Sequence, residues 1–172
     1  KEVIFMMILS TMMIPFAVTM IPLYLIISKL GWINSHLALI IPGLYSTFGI
    51  FLMRQFMSSI PNELREAAIV DGCGEFRTFW SIILPQCKPV LAALGIFTFM
   101  WNWDNFLWPL IVLNNEDKFT LPVGLSMFSQ QWWTNYGLVM AGATISVIPV
   151  LIVFFIFQKQ FIQGIVLTGL KM

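Results

Sequence analysis

The residues best suited to chemistry are concentrated in one short stretch near the middle of the chain. Only 10% of the 172 residues are charged, yet six charged side chains fall between positions 63 and 77. Such a cluster could serve catalysis, metal binding or contact with another protein. The six residues are Glu63, Arg65, Glu66, Asp71, Glu75 and Arg77.

Catalysis and metal binding receive no support from the other reactive residues. The single histidine, His36, has no acidic or cysteine neighbour, so a solvated loop residue is the simpler interpretation. Cys73 and Cys87 match no metal-binding spacing, and the chain has neither HExxH nor an arguable Ser/His/Asp set. A GxxxxGK[ST] phosphate-binding loop is also missing from the sequence. We therefore expect no catalytic residue, metal or cofactor on this chain.

Composition places the chain in a membrane. The residues are 59% hydrophobic and the mean hydropathy is +0.87, more than a soluble domain of this length can bury. The net charge of +1 gives no indication of nucleic-acid binding. A helix needs about 20 mostly apolar residues to cross a bilayer, and four segments qualify. The sequence thus predicts an all-α, multi-spanning transmembrane helical bundle, with spans at about 4–28, 37–57, 89–113 and 137–157.

The basic residues predict the orientation of these spans. In a four-span arrangement two of them, Lys29 and Lys118, fall on one side and the other seven on the opposite side. Because basic residues favour the cytoplasmic side, the polar loop 58–88 and both ends should face the cytoplasm. The chain begins at Lys1 without a signal peptide, which predicts a fragment of a longer protein. The seven are Lys1, Arg54, Arg65, Arg77, Lys88, Lys159 and Lys171.

The polar loop has the pattern of two helices joined by a glycine turn. Pro61 and Asn62 suit a helix start, and Gly72 can adopt the left-handed conformation that ends a helix. A second helix is predicted from about Glu75 to Leu84, closed by Pro85. One alternative is an amphipathic hairpin lying on the membrane surface, but the alanines of the first helix are small for membrane anchors.

The order of residues in this loop closely resembles the EAA loop of binding-protein-dependent ABC importer permeases. "EAAIVDG" is followed six residues later by "FWSIILP". The resemblance implies that the first helix docks into a cleft of a cytoplasmic ATPase subunit and transmits its closure to the spans. Cys73 and Gly74 replace the Ala and Ser that are usual after the glycine, and both are small. The matching positions are Glu66, Ala67, Ala68, Asp71, Gly72, Phe79, Ile82, Leu84 and Pro85.

Segments throughout the chain are similar to the carbohydrate-importing branch of that family. Among them are "IFTFMWNWDNFLWPLIVL" and "TLPVGLSMFSQQW". The resemblance implies spans three to six of the second, six-span permease subunit of a maltose-type system. It also implies four kinds of partner: an ABC ATPase that uses ATP and Mg²⁺, a second permease subunit in a heterodimer, an extracellular sugar-binding protein and the lipid bilayer. The alternative solutes are glycerol phosphate, polyamines or amino acids.

A possible substrate pathway is predicted in the third span. Trp101, Asp104, Asn105 and Trp108 are spaced at i, i+3, i+4 and i+7, which would place two indoles and two polar groups on one helical face. A carboxylate is expensive in lipid and should face a wet cavity or a partner. An interfacial aromatic belt or subunit packing remains the alternative. An ion-coupled carrier or channel would be expected to have several intramembrane ionisable groups, whereas Asp104 is the one clear case. The family commonly has Asn before Asp here, so the order "WDNF" is exchanged.

Two further patterns concern contacts with other surfaces. Gln130, Gln131, Trp132 and Trp133 combine amides with aromatic rings in the last outer loop, and the resemblance implies contact with the binding protein there. The alternative is an interfacial anchor for the final span. In that span, Gly137 with Ala141 and Gly142 with Ser146 form small-xxx-small pairs, which predict close helix packing.

Overall fold

The computed structural model describes residues 2–129 and 134–169, with side chains described as far as residue 158. Within these ranges the chain is helical without β-strands, apart from an isolated bridge between Ser129 and Thr134. The all-α prediction is confirmed. The α-helices are α1 Glu2–Ser10, α2 Phe16–Lys29, α3 Leu37–Gly43, α4 Thr47–Met57, α5 Asn62–Val70, α6 Glu75–Thr78, α7 Leu84–Gln86, α8 Lys88–Trp103, α9 Leu107–Val112, α10 Leu121–Ser126 and α11 Tyr136–Gly169.

The first predicted span is sharply bent. α1 and a short 3₁₀ turn, Thr11–Met13, meet α2 at an angle of 99°. The break lies at Pro15, because the residue before a proline is disfavoured in helical conformation. Ile14 is accordingly extended, with ψ 114°. The segment predicted as a span at about 4–28 therefore consists of two helices joined by this break.

Among the residues that the structure describes, two helical segments are long and apolar enough to cross a membrane. They are Leu37–Met57, with a mean hydropathy of 1.6, and Tyr136–Gln158, with a mean hydropathy of 2.6. The first contains the junction between α3 and α4, and the second lies within α11. Two bent pairs would raise the number to four if each crosses once: the α1–α2 pair, and Glu75–Gln86 with Lys88–Trp103 at 72°. The structure agrees with the predicted number of four spans only if each bent pair counts as one span.

The third predicted span is also interrupted. α8 ends at Trp103 and α9 begins at Leu107, so residues 104–106 are not helical. Pro109 supplies the reason, since it has no N–H and its ring would collide with the carbonyl four residues earlier, that of Asn105, in a continuous helix. A single helix over 89–113 is therefore not formed.

The chain divides into two compact units. One holds Lys1–Thr47 and Phe99–Val153, and the other holds Phe48–Thr98 and the segment from Phe154. Parts of α2, α3 and α9 form the core of the first unit, and the polar loop lies in the second. The buried core residues of the first unit are Ile27, Ala38, Trp108, Val112 and Leu113.

Candidate coupling site

The charged stretch folds as a helix, a glycine turn and a second helix, as the sequence predicts. We term residues 62–86 the coupling hairpin. At the end of α5, Gly72 has φ 79° and donates its N–H to the Ile69 carbonyl at 3.0 Å. The Cys73 N–H donates to the Ala68 carbonyl at 2.9 Å. These two bonds define a Schellman ending, which needs a left-handed residue that glycine adopts without strain. The prediction for Gly72 is confirmed.

The second helix of the coupling hairpin is longer than predicted and contains a wide turn. α6 continues through the π-helical turn Phe79–Ile83 into α7, and the Leu84 N–H donates to the Phe79 carbonyl five residues earlier. Pro85 would clash with the preceding turn of a regular α-helix, and the widened turn lies directly before it. The expectation that Pro85 closes the helix is wrong. The helix ends only after α7, and the chain then bends into α8.

Small side chains fill the inside of the coupling hairpin. Ala68 on α5 and Thr78 on α6 are both buried, and the Thr78 hydroxyl donates to the Gly74 carbonyl at 3.1 Å. Ala68 of the predicted motif thus lies on the buried side of α5. Its small size suits the close approach of the two helices.

An ion pair joins the two helices on their solvent side. Arg65 Nε donates to Glu75 Oε2 at 3.1 Å, and the Nη2 group donates to the other carboxylate oxygen. Both side chains are at least half exposed, so water screens the pair and its contribution to stability is small. The Glu75 carboxylate raises the pKa of Arg65, and the guanidinium therefore stays charged at every physiological pH.

The outer surface of the coupling hairpin combines acidic, small and apolar side chains. Glu66, Ala67 and Asp71 are exposed on or beside α5. Two large apolar side chains project close to the turn: Val70 is 86% exposed and Phe76 is 79% exposed. Exposed large apolar side chains close to charged ones suit an interaction site.

A cleft of about 270 Å³ lies in the same unit, at the base of the coupling hairpin. Met57 and Ile60 line it from the end of α4, and the predicted motif residue Phe79 lines it from the second helix. The Arg65–Glu75 pair lies at its edge. Phe79 therefore serves the packing of the hairpin on its own unit, while Pro85 is exposed at the far end of the helix.

The four predicted pathway residues do not share a helical face. Trp101 lies on α8 and is 55% exposed, whereas Asp104 and Asn105 lie in the break after α8. Trp108 is 5% exposed, and its indole N–H donates to the Ala38 carbonyl at 2.9 Å. The continuous face is wrong because the helix is interrupted before Pro109, and Trp108 belongs to the core.

The predicted contact with the binding protein lies outside the described residues; it comprises Gln130, Gln131, Trp132 and Trp133. A Cβ on Gly142 would collide with Leu125, and the Ser146 carbonyl accepts a hydrogen bond from Trp103 Nε1 at 3.1 Å, so this small-residue pair packs within the chain as predicted. Across residues 2–129 and 134–158, no three His, Cys, Asp or Glu side chains are grouped closely enough to hold a metal.

Asn34 organises a junction that sequence reasoning missed. We term residues 30–36 with 112–119 the outer junction. Asn34 has φ 58°, and its N–H donates to the Val112 carbonyl at 2.7 Å. Its Oδ1 accepts the N–H groups of Asn114 and Asn115, each at 3.1 Å. Its own carbonyl accepts Lys118 Nζ at 2.6 Å. The sequence carries only a weak signal for this junction. Asparagine tolerates left-handed backbone, but that tolerance does not identify the residues to which Asn34 forms hydrogen bonds.

A family model described as "Binding-protein-dependent transport system inner membrane component" matches residues 1–166. The chain belongs to this family. It is therefore a membrane component of a transport system, and the coupling hairpin lies at the position where the sequence resembles the EAA loop of such permeases.

Relatives of this permease chain include proteins named for sugar transport. The arabinooligosaccharides transport system permease protein AraQ of Halalkalibacterium halodurans is 39% identical over 171 residues, which cover 99% of the chain and 61% of that protein. The lactose transport system permease protein LacG of Rhizobium radiobacter is 42% identical over 164 residues, covering 95% and 60%. The chain thus spans about three-fifths of the length of the curated relatives it matches.

A solved structure shares the permease fold. It is the crystal structure of a bacterial ABC transporter involved in the import of the acidic polysaccharide alginate. The TM-score is 0.81 at 28% sequence identity, and the match covers 92% of this chain and 61% of that one. The predicted ABC importer permease fold is confirmed.

Proposed function

We propose that this chain is part of the membrane-spanning permease subunit of an ATP-driven sugar importer. The observation that carries the proposal is the coupling hairpin. Its Schellman turn fixes the direction of α5, and its exposed acidic and apolar side chains suit insertion into a groove of another protein. ATP and Mg²⁺ are used by that partner ATPase, and this chain has no catalytic role.

Glu66, Ala67, Asp71 and Gly72 form the docking surface in this proposal. They are exposed beside one another on the end of α5 and its turn. The packing of Ala68 and the Arg65–Glu75 pair hold α5 against the second helix of the hairpin. A displacement of α5 is therefore passed to the second helix and on into α8.

A sugar is the favoured solute. The names of the relatives AraQ and LacG refer to arabinooligosaccharides and lactose. Among the four predicted spans the sequence has one basic residue, Arg54, which suits a neutral solute better than an anion. The second candidate is a glycerol phosphate, because the sn-glycerol-3-phosphate transport system permease protein UgpE of Yersinia pestis is 36% identical over 168 residues.

Asp104 and Asn105 remain candidates for the pathway, with Trp101 beside them. Non-helical backbone at membrane depth is tolerated where it is buried in protein or lines a water-filled cavity. The break at 104–106 meets that condition best if it opens toward the solute path. Trp108 has no place in this proposal.

The partners and the orientation complete the proposal. A second permease subunit forms the other half of the pathway as a heterodimer, and an extracellular binding protein contacts residues 130–133. The coupling hairpin faces the cytoplasm of a bacterial inner membrane. The contact between Lys118 and Asn34 supports the placement of their two loops on the same side of the membrane, which the basic-residue count assigns to the outside.

The test is reconstitution of the complete transporter in proteoliposomes, with the full-length permease and its partner subunits. Uptake of arabinotriose, lactose, maltotriose and glycerol 3-phosphate is measured together with ATP hydrolysis. We expect ATP-dependent uptake of at least one sugar and little uptake of glycerol 3-phosphate. Uptake of glycerol 3-phosphate alone would replace the sugar assignment with the second candidate.

A further inference from the structure

Two helix breaks bring three hydroxyl groups together within the first unit. Thr11 lies at the break between α1 and α2, and Tyr45 and Thr47 lie at the break between α3 and α4. Thr11 Oγ1 is 3.1 Å from Thr47 Oγ1 and 3.4 Å from the Tyr45 hydroxyl oxygen. The Thr47 hydroxyl donates to the Tyr45 hydroxyl at 2.9 Å. We term Thr11, Tyr45 and Thr47 the hydroxyl cluster.

The hydroxyl cluster is far from both ends of its span. Leu37 and Met57 bound the second candidate span, so Tyr45 is eight residues from one end and twelve from the other. At about 1.5 Å per residue these separations are about 12 and 18 Å. The hydrocarbon core of a bilayer is about 30 Å thick. The cluster therefore lies near mid-depth, away from headgroups and bulk water.

The hydroxyl cluster is poorly suited to contact with lipid. Residues 44–46 and Ile14 are not helical, and irregular backbone at this depth occurs where it is buried in protein or lines a water-filled cavity. Tyr45 is nevertheless 57% exposed, and Thr11 is exposed as well. An exposed polar group on irregular backbone indicates an aqueous cavity on this side of the two spans.

The hydrogen-bonding capacity of the hydroxyl cluster is only partly used. The Thr11 hydroxyl donates to the Ile8 carbonyl at 2.7 Å, and the Thr47 hydroxyl donates to Tyr45. The Tyr45 proton can turn toward Thr11 or toward a ligand, and all three oxygens retain acceptor capacity. Beside them the Tyr45 ring offers an apolar face. Hydroxyl donors and acceptors beside an aromatic face match a sugar, which carries hydroxyl groups and apolar C–H faces.

We propose that the hydroxyl cluster is a subsite for a neutral, polyhydroxylated solute in the translocation pathway, with Tyr45 as its principal contact. The inference rests on the proposed function as a sugar permease and adds residues that sequence reasoning did not identify. The neighbouring sequence favours a neutral ligand, because no Lys or Arg lies between residues 2 and 28 or between residues 37 and 53.

The test compares isosteric variants in the complete reconstituted transporter. Tyr45→Phe and Thr47→Val each remove a hydroxyl with little change of shape. Thr19→Val is the matched control, because the Thr19 hydroxyl donates to the carbonyl three residues earlier, as Thr11 does, but belongs to no cluster. We expect Tyr45→Phe to lower sugar uptake per transporter, at subsaturating arabinotriose or lactose, by about threefold to tenfold, the effect of one hydrogen bond. Thr19→Val should match the wild type in sugar uptake and in basal ATP hydrolysis.

A second measurement separates ligand contact from helix packing. Tyr45→Cys is made in a Cys73→Ser, Cys87→Ala background, and its reaction with a small water-soluble thiol reagent is followed. We expect the same sugar to slow labelling at position 45 during transport. Loss of membrane abundance with unchanged uptake kinetics per transporter, and no protection by sugar, would mean that the hydroxyls join helices and would overturn the subsite.

The outcomes also separate the two proposals. If the wild type takes up a sugar and Tyr45→Phe and Thr47→Val do so with wild-type kinetics, the subsite is wrong and the sugar permease stands. If the wild type takes up none of the sugars, the proposed function fails, and the subsite fails with it.

Discussion

The coupling hairpin and the outer junction both depend on a left-handed residue, but the contacts around that residue differ in range along the chain. Gly72, with φ 79°, ends α5 within a hairpin whose ion pair joins residues only ten positions apart. Asn34, with φ 58°, bonds to loop residues as many as 84 positions away. The hairpin is a local structure with an open surface, whereas the outer junction ties distant loops together. Substitution in the first should impair coupling, and substitution in the second should impair stability.

The largest effect is expected from Gly72→Val. A β-branched residue resists left-handed backbone, at a penalty of about 1–3 kcal/mol, and this strain should disrupt the turn although a Cβ at Gly72 would meet open space. Sugar uptake and transport-coupled ATP hydrolysis should fall about tenfold, while the permease still inserts into the membrane.

Gly74→Val provides the matched control for this variant. Gly74 lies two residues further on, with φ −70° and ψ 158°, and a Cβ there also meets open space. Valine tolerates that conformation, so near wild-type uptake is expected. Equal losses from both variants would show that side-chain bulk, and not the left-handed turn, explains the defect.

A moderate effect on stability is expected from Asn34→Ala. The change removes the acceptor of two backbone N–H groups and strains a left-handed position, for about 1–3 kcal/mol in total. The thermal midpoint of the detergent-purified transporter should fall by a few degrees. Asn34→Asp keeps an acceptor oxygen near Lys118 and should be closer to the wild type. If Asn34→Ala left stability normal but impaired coupling, as a substitution in the coupling hairpin is expected to do, the contrast between the two regions would be wrong.

The smallest effect is expected from the ion pair. Arg65→Glu and Glu75→Arg each replace attraction by repulsion on an exposed surface, and uptake should fall less than threefold because solvent screens the charges. The double reversal should restore uptake, and the losses should shrink at high salt. Because the pKa of Arg65 is raised, the arginine should add no pH dependence near neutrality. A single reversal as severe as Gly72→Val would show that the pair itself contacts the ATPase.

Local signals explain which features could be predicted from the sequence. Composition identified the helical membrane class, and the helix, glycine turn and helix of the coupling hairpin followed from residues within one or two turns of each other. The outer junction could not be found in this way, because the partners of Asn34 are defined only when α9 and α2 come together. Tyr45 and Thr11 escaped notice for the same reason, since 34 positions separate them.

The pathway prediction failed for a different reason. A spacing of i, i+3, i+4 and i+7 has meaning only on an unbroken helix, and Pro109 lies one residue beyond the last member of the set. Its effect reaches back to Asn105. Prolines inside apolar segments do not all act alike: Pro15 and Pro109 each coincide with an interruption of the helix, whereas Pro149 lies inside α11 without one.

The wide turn at Phe79–Ile83 changes how the residues before it are rotated around the helix axis relative to those after it. A π-helical turn holds one residue more than an α-helical turn, and one residue corresponds to about 100° of rotation around a helix axis. The π-helical turn therefore sets the direction in which α6, together with α5, projects from α7. The direction of the hairpin therefore depends on the number of residues in this turn as well as on side-chain identity, so deleting one residue of the turn would redirect the surface formed by Glu66, Ala67 and Asp71 without removing any of these three residues.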